Sequence, residues 1–220
     1  MVQQERARLT REKILLGAAD VIRRVGYAKA SLGQISETSG VTRGALYFHF
    51  GSKLDIAAAL VDEQHRITRE ASEMILATDA SALELMMHLC LDLAQRLVAD
   101  PIVRAGVRLT SDTSTFDSPI GDPFRDWIET FGALATRAQD NGETTATVPP
   151  DMAARFIIPA FTGVQLVSDT LTGREDLPGR VREMWEILVR ALVAAENLAT
   201  ALQMLDDVFT APGSDEEAMR

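Results

Sequence analysis

SLGQISETSGVTRGALYFHFGSK, Ser31 to Lys53, is the stretch whose reading decides the fold. Ser31 with Gln34 three residues on is a capping-box pair, which marks a helix start. Ser39-Gly40 stops that helix, because glycine tolerates the left-handed conformation that a short turn needs. Thr42 caps a second short helix ending near Phe50. The spacing predicts helices over about 32–39 and 42–50, with a tight turn between them. That is a helix-turn-helix, whose second helix enters the DNA major groove with its N-terminal residues on base edges. Arg43, Gly44, Tyr47 and His49 fall near the exposed surface of the second helix. Leu32, Ile35, Val41, Ala45, Leu46 and Phe48 read as the core, closed by Phe50.

Working outward, residues 1–9 read as a polar, basic arm. A helical apolar pattern follows Thr10 through Ile14, Leu15, Ala18, Ala19, Ile22 and Val25, and Gly26 ends it. These residues complete a three-helix head, bounded at 1–52. The chain has a net charge of −10, which looks wrong for a DNA binder until it is divided. Residues 1–53 hold nine Lys/Arg and four Asp/Glu, hence 9 − 4 = +5. The remainder holds 22 − 9 = 13 basic and 32 − 4 = 28 acidic residues, hence −15. A basic head on an acidic body presents one end to a polyanion.

Ser52 and Asp55 repeat the capping logic and start a long helix to about Thr78. Its inward stripe is Ala57, Leu60, Val61, Thr68, Ala71 and Ile75, with Gln64 on the same side. An inward amide is either satisfied within the core or a ligand contact. Ser81 caps a helix with Leu83, Met86, Met87, Cys90, Leu93, Ala94 and Leu97 inside. Asp100-Pro101 and Asp122-Pro123 each read as an N-cap followed by a first-turn proline. Between them, 111–121 is a turn-rich loop.

Trp127 lies on an inner face with Phe124, Ile128, Phe131, Leu134 and Ala135. Pro149-Pro150 lead into a helix from Asp151 to about Leu171 that is apolar nearly all round, as expected of one buried on two sides. Pro159 within it should kink it. A further helix spans about 177–193, a last one runs to Val208, and the tail 211–220 is expected to be disordered. The fold class is all-α: no strand alternation occurs.

Composition narrows the function. No run of about 18 apolar residues suggests a membrane span. The polar N-terminus predicts no secretory signal, and the single cysteine, Cys90, allows no internal disulfide, which together point to a cytoplasmic protein. His49, His65 and His88 lack metal-ligand spacing, and no P-loop, GxSxG or CxxC is present. The sequence therefore predicts no catalytic residues, no metal and no cofactor.

The segment Thr42 to Lys53, TRGALYFHFGSK, resembles the recognition-helix signature of the TetR family of transcriptional repressors. The body segments VRAGVRLTSD (Val103–Asp112), DPFRDWIETF (Asp122–Phe131) and MWEILVRALV (Met184–Val193) resemble the γ-butyrolactone autoregulator receptors of streptomycetes. These repress antibiotic and differentiation genes until a small diffusible lactone arrives. The resemblance implies a homodimer reading a pseudo-palindromic operator, with residues 53–210 forming the ligand-binding and dimerisation domain.

It also assigns roles residue by residue. Ser31, Thr42, Arg43, Gly44, Tyr47, His49 and Lys53 match DNA-contacting positions. Many receptors of the lactone type carry lysine where this chain has Arg43. Trp127 matches a pocket tryptophan, and Gln64 and Thr162 match polar pocket positions; by side-chain softness alone, Met86, Met87 and Cys90 could line an adaptable apolar wall. The helices near 151–171 and 177–193 match the dimer-forming pair, with Trp185 expected in that interface. Two alternatives keep DNA binding: a pseudo-receptor sensing an antibiotic, furan or butenolide, and a constitutive DNA binder with no ligand.

Overall fold

The computed structural model describes residues 2–111 and 123–210, and every regular element among them is a helix. In chain order they are α1 (Val2–Val25), α2 (Leu32–Ser39), α3 (Arg43–His49), α4 (Lys53–Leu76), α5 (Ala82–Ala99), α6 (Pro101–Ser111), α7 (Pro123–Asp140), α8 (Pro150–Thr172), α9 (Leu177–Leu192) and α10 (Leu198–Thr210). The expected loop over 112–121, the Asp122 cap and the tail 211–220 lie outside the described residues. Two compact units emerge. One is built from the described residues of 1–71 and 96–121, the other from those of 72–95 and 122–220.

The first unit surrounds a core to which α1 contributes Ile14, Leu15, Ala18, Val21 and Ile22. Ile35, Leu46, Phe50, Ile56, Leu60 and Leu109 fill it from α2, the end of α3, α4 and α6. Gly17 is where α1 meets the end of α2, since a Cβ there would stand 2.7 Å from the Cβ of Ser39. Helix α6 belongs to this unit. It packs on α1, and Arg108 Nη1 donates to the Arg23 carbonyl at 3.2 Å. Against α4 the contact is closer still: a Cβ on Gly106 would stand 2.4 Å from that of Gln64 and 3.1 Å from the Leu60 carbonyl oxygen. Asp100 starts α6 as expected, its Oδ1 accepting the amides of Ile102 and Val103.

Two expectations about this unit are corrected. Residues 2–9 are not a separate arm but the first turns of α1, in which Arg8 pairs with Glu5 at 2.7 Å and Glu12 at 3.4 Å. Ion pairs three and four residues apart favour helix in a stretch with little apolar content. Phe48 is not in the core. Its ring is 82% exposed, because at helical spacing it points nearly opposite to Leu46, which is buried.

In the second unit α7 packs on α8, α8 on α9, and α9 on α10. Helix α8 continues through Pro159 and ends at Gly173, whose positive φ of 64° permits the left-handed cap. Asp176 then ties α8 to the start of α9: Ser168 and Thr172 hydroxyls donate to its Oδ1 and Arg180 to its Oδ2. These bonds, Ser168 first, hold the Asp176 carboxyl at about 2, below the usual carboxylate range. Arg182 and Asp206 pair between α9 and α10.

Trp185 is another correction. It is fully buried in the single chain, so it offers no surface to a partner subunit. It shares an inward stripe with Val181, Met184, Leu188, Val189 and Leu192. Its indole Nε1 is buried without a formed hydrogen bond. The Cys90 thiol is near enough to feel that N–H, but burial dominates and pushes the thiol up to about 12.

Candidate nucleic-acid interface and effector residues

The capping chemistry that starts α2 and α3 also fixes their outer faces. Ser31 Oγ accepts the Gln34 amide at 3.3 Å, and the Gln34 side chain accepts the Ser31 amide at 3.0 Å, closing the capping box. Gly40, with φ 66°, makes the turn, and Thr42 Oγ1 accepts the Ala45 amide at 3.3 Å. Each cap contributes about 1 kcal/mol and sets where the helix begins, while the packing of Ile35 and Leu46 into the core holds two helices too short to be stable alone. From that frame Thr42, Arg43, Gly44 and Tyr47 stand exposed, and His49 is half-buried.

Ser31 and Arg43 come together around Gly33. A Cβ on Gly33 would lie 3.2 Å from Arg43 Nη2 and 3.9 Å from Ser31 Oγ. The glycine therefore leaves room for the guanidinium across the start of α2. Nothing lies within 4 Å of a Cβ built on Gly44, so α3 presents bare backbone outward there. Lys53 is placed differently. Its ammonium donates to the carbonyls of Tyr27 at 3.0 Å and Ala28 at 3.3 Å and sits 4.4 Å from the Tyr27 ring centre. It thus fastens the α1–α2 connection, a contact that spacing did not reveal. Gly33 and Phe48 are the two surface positions that sequence reasoning missed. Phe48 was legible from the 3.6-residue period, but its apolar type argued for the core.

Gln64 is buried in the first unit, at 6% exposure, and its Nε2 donates to Thr68 Oγ1 at 3.2 Å. The Thr68 hydroxyl lies 3.0 Å from the Gln64 carbonyl oxygen, in position to donate to it. The other residues expected to meet an effector belong to the second unit. Met86 and Met87 are fully buried on α5. Trp127 on α7 is half-buried, its ring 5.9 Å from that of Phe131 at a tilt of 58°. Thr162 is half-buried, and its hydroxyl donates back to the Ile158 carbonyl at 2.9 Å. Among the described residues no group of three or more His, Cys, Asp or Glu could hold a metal ion. No helix among them is long and apolar enough to cross a membrane.

Comparison with known proteins matches residues 14–60 to the bacterial regulatory proteins of the tetR family and residues 80–194 to the tetracyclin repressor-like C-terminal domain. The chain belongs to the TetR family. It is accordingly a helix-turn-helix DNA-binding transcriptional regulator and not an enzyme. Among its TetR-family relatives is the A-factor receptor protein of Streptomyces griseus, 35% identical over 192 residues, covering 87% of this chain and 67% of the relative. A solved γ-butyrolactone receptor, an ArpA-like protein, superposes with a TM-score of 0.83 at 30% identity, covering 94% of this chain and all of that one. The TetR-family protein CprB from Streptomyces coelicolor, solved in complex with its biological operator sequence, gives a TM-score of 0.80 at 32% identity, again covering 94% of this chain and all of that one.

Proposed function

We propose that this protein is a homodimeric repressor that holds a pseudo-palindromic operator and releases it when a small γ-butyrolactone-type signal binds. The DNA half of the reading is carried by one observation: Arg43, Gly44 and Tyr47 stand exposed on α3, held there by the Thr42 cap. Arg43 can reach a guanine edge with its bidentate fork. Ser31, Thr42, Tyr47, His49 and Lys53 would hold phosphates and set register. Gly44 allows close backbone approach.

Dimerisation is supported by a stripe of apolar side chains that α8 and α9 leave in solvent. Phe156, Leu166 and Leu171 on α8 are 62%, 59% and 65% exposed, and Ile187 on α9 is 69% exposed. Apolar surface of that kind marks an interaction site, and a face that is self-complementary about a two-fold closes a dimer. Two heads about 34–36 Å apart then meet successive turns of the groove.

The lactone half is supported by the likeness to the A-factor receptor protein and to the γ-butyrolactone receptor over most of this chain. Trp127, Met86, Met87, Thr162 and Gln64 are the residues proposed to answer to the effector. An indole and two thioethers suit a small uncharged ring with an alkyl tail, and few polar groups are then needed to orient it. Binding acts by population shift: it favours a state in which α4 tilts and the heads no longer match the groove spacing. The ligand does so only as far as it binds that state better, typically by about 1–3 kcal/mol.

Footprinting on the DNA upstream of its own gene tests the reading. Two protected half-sites about one helical turn apart are expected, cleared by added γ-butyrolactone. A single protected half-site, or protection that the lactone leaves in place, would overturn the reading.

A further inference from the structure

We infer that Phe48 is a specificity residue of α3, reading a thymine by its C5-methyl group. The inference rests on the DNA-reading assignment of α3 and sharpens it. Phe48 is the most exposed large apolar side chain among the described residues, at 82%. Packing does not explain it: at that exposure little of the ring is covered, and its ring contact is with the neighbouring His49, centres 5.3 Å apart and planes at 88°. Leu46 and Phe50, two positions before and after it, are buried in the core of the unit, so Phe48 has no place there.

Helical geometry puts Phe48 one turn beyond Gly44, on the same outward side. A helical side chain leans toward the N-terminus and covers the turn before its own Cα. Gly44 is therefore the neighbour toward which Phe48 leans; nothing, the Phe48 ring included, lies within 4 Å of a Cβ built there, so ring and bare backbone stand side by side with the glycine uncovered. The bare glycine and the ring behind it form a shallow apolar step at the end of the helix that enters the groove. Arg43 and Tyr47 supply polar contacts on one flank, and the basic head of +5 supplies attraction for the backbone.

The major-groove floor offers donors and acceptors at every base pair but only one apolar group, the thymine methyl, which pairs with apolar side chains. An exposed phenyl ring in this position would gain nothing from base polar edges or phosphates. It gains from covering a methyl. The occupant that fits is a thymine in each half-site.

The test uses the full chain and DNA selected by it. Wild-type protein is used to enrich duplexes from a random-sequence pool, and each thymine of the enriched motif is then replaced by uracil, which removes the methyl alone. The wild type should lose about fourfold in affinity at one thymine per half-site, the value of one buried carbon. Phe48→Ala should bind the thymine and uracil forms of that position equally, and Phe48→Leu should retain part of the discrimination. The ring is exposed, so the melting temperature of Phe48→Ala should match the wild type. Indifference of the wild type to every uracil would overturn the inference. So would a Phe48→Ala variant that still discriminates at each position or loses affinity without any change in thymine preference. Failure of the wild type to enrich any motif would instead overturn the DNA reading, and this inference with it.

Discussion

Arg43 leaves α3 at its first residue and lies across Gly33, so the guanidinium already shares a surface with Ser31. Its fork matches guanine O6 and N7, and its loss should remove discrimination as well as attraction. Arg43→Ala is expected to weaken specific binding by about 1–3 kcal/mol while leaving binding to unrelated DNA nearly unchanged. Equal losses on both DNAs, in a binding titration at fixed salt, would make Arg43 a phosphate contact. At the other end of the switch, Trp127→Ala should keep operator affinity and lose the response to lactone. A variant that no longer bound operator would assign the indole to folding. At this scale the sequence was most legible where chemistry is local. Ser31 with Gln34, Thr42 and Gly40 announce their roles by spacing, because caps act over three residues. Phe48 and Trp185 were misplaced because residue type or likeness outweighed the helical period, which sets Phe48 outward and Trp185 among buried neighbours.

Among the elements, α6 is the one whose placement the sequence did not announce. Its apolar pattern and its Asp100 cap were plain, but nothing local says that it packs on α1 and crosses α4 at Gly106. That crossing is close because glycine lets two backbones approach, and the atoms a Cβ would strike are the Gln64 Cβ and the Leu60 carbonyl rather than a flexible tip. Gly106→Ala should therefore overpack the joint and destabilise the first unit by about 1–3 kcal/mol. Urea denaturation would report it; an unchanged midpoint would mean that α6 slides freely over α4. The first turns of α1 teach a related lesson. Low apolar content suggested an arm, yet the Glu5–Arg8–Glu12 ladder is a helical signal written in charge.

For the whole molecule, the all-helical class and the helix order were readable from periodicity and stop signals. Which helix faces look outward was only partly readable, since an all-round apolar helix does not say which side meets a partner. The structure separates the sides of α8: Ala154, Ile157, Ile158 and Phe161 are buried, while Phe156, Leu166 and Leu171 are exposed. Leu166→Glu should convert the proposed dimer to monomer in sedimentation velocity and weaken operator binding with it. A variant that remained dimeric would move the interface elsewhere.

The account's central claim is a linkage between operator and effector. The most direct measurement is operator affinity by fluorescence anisotropy, taken alone and with saturating γ-butyrolactone, butenolide or antibiotic. The predicted result is a fall of at least about fivefold with the lactone. Unchanged affinity with the lactone, or release only by one of the others, would contradict it.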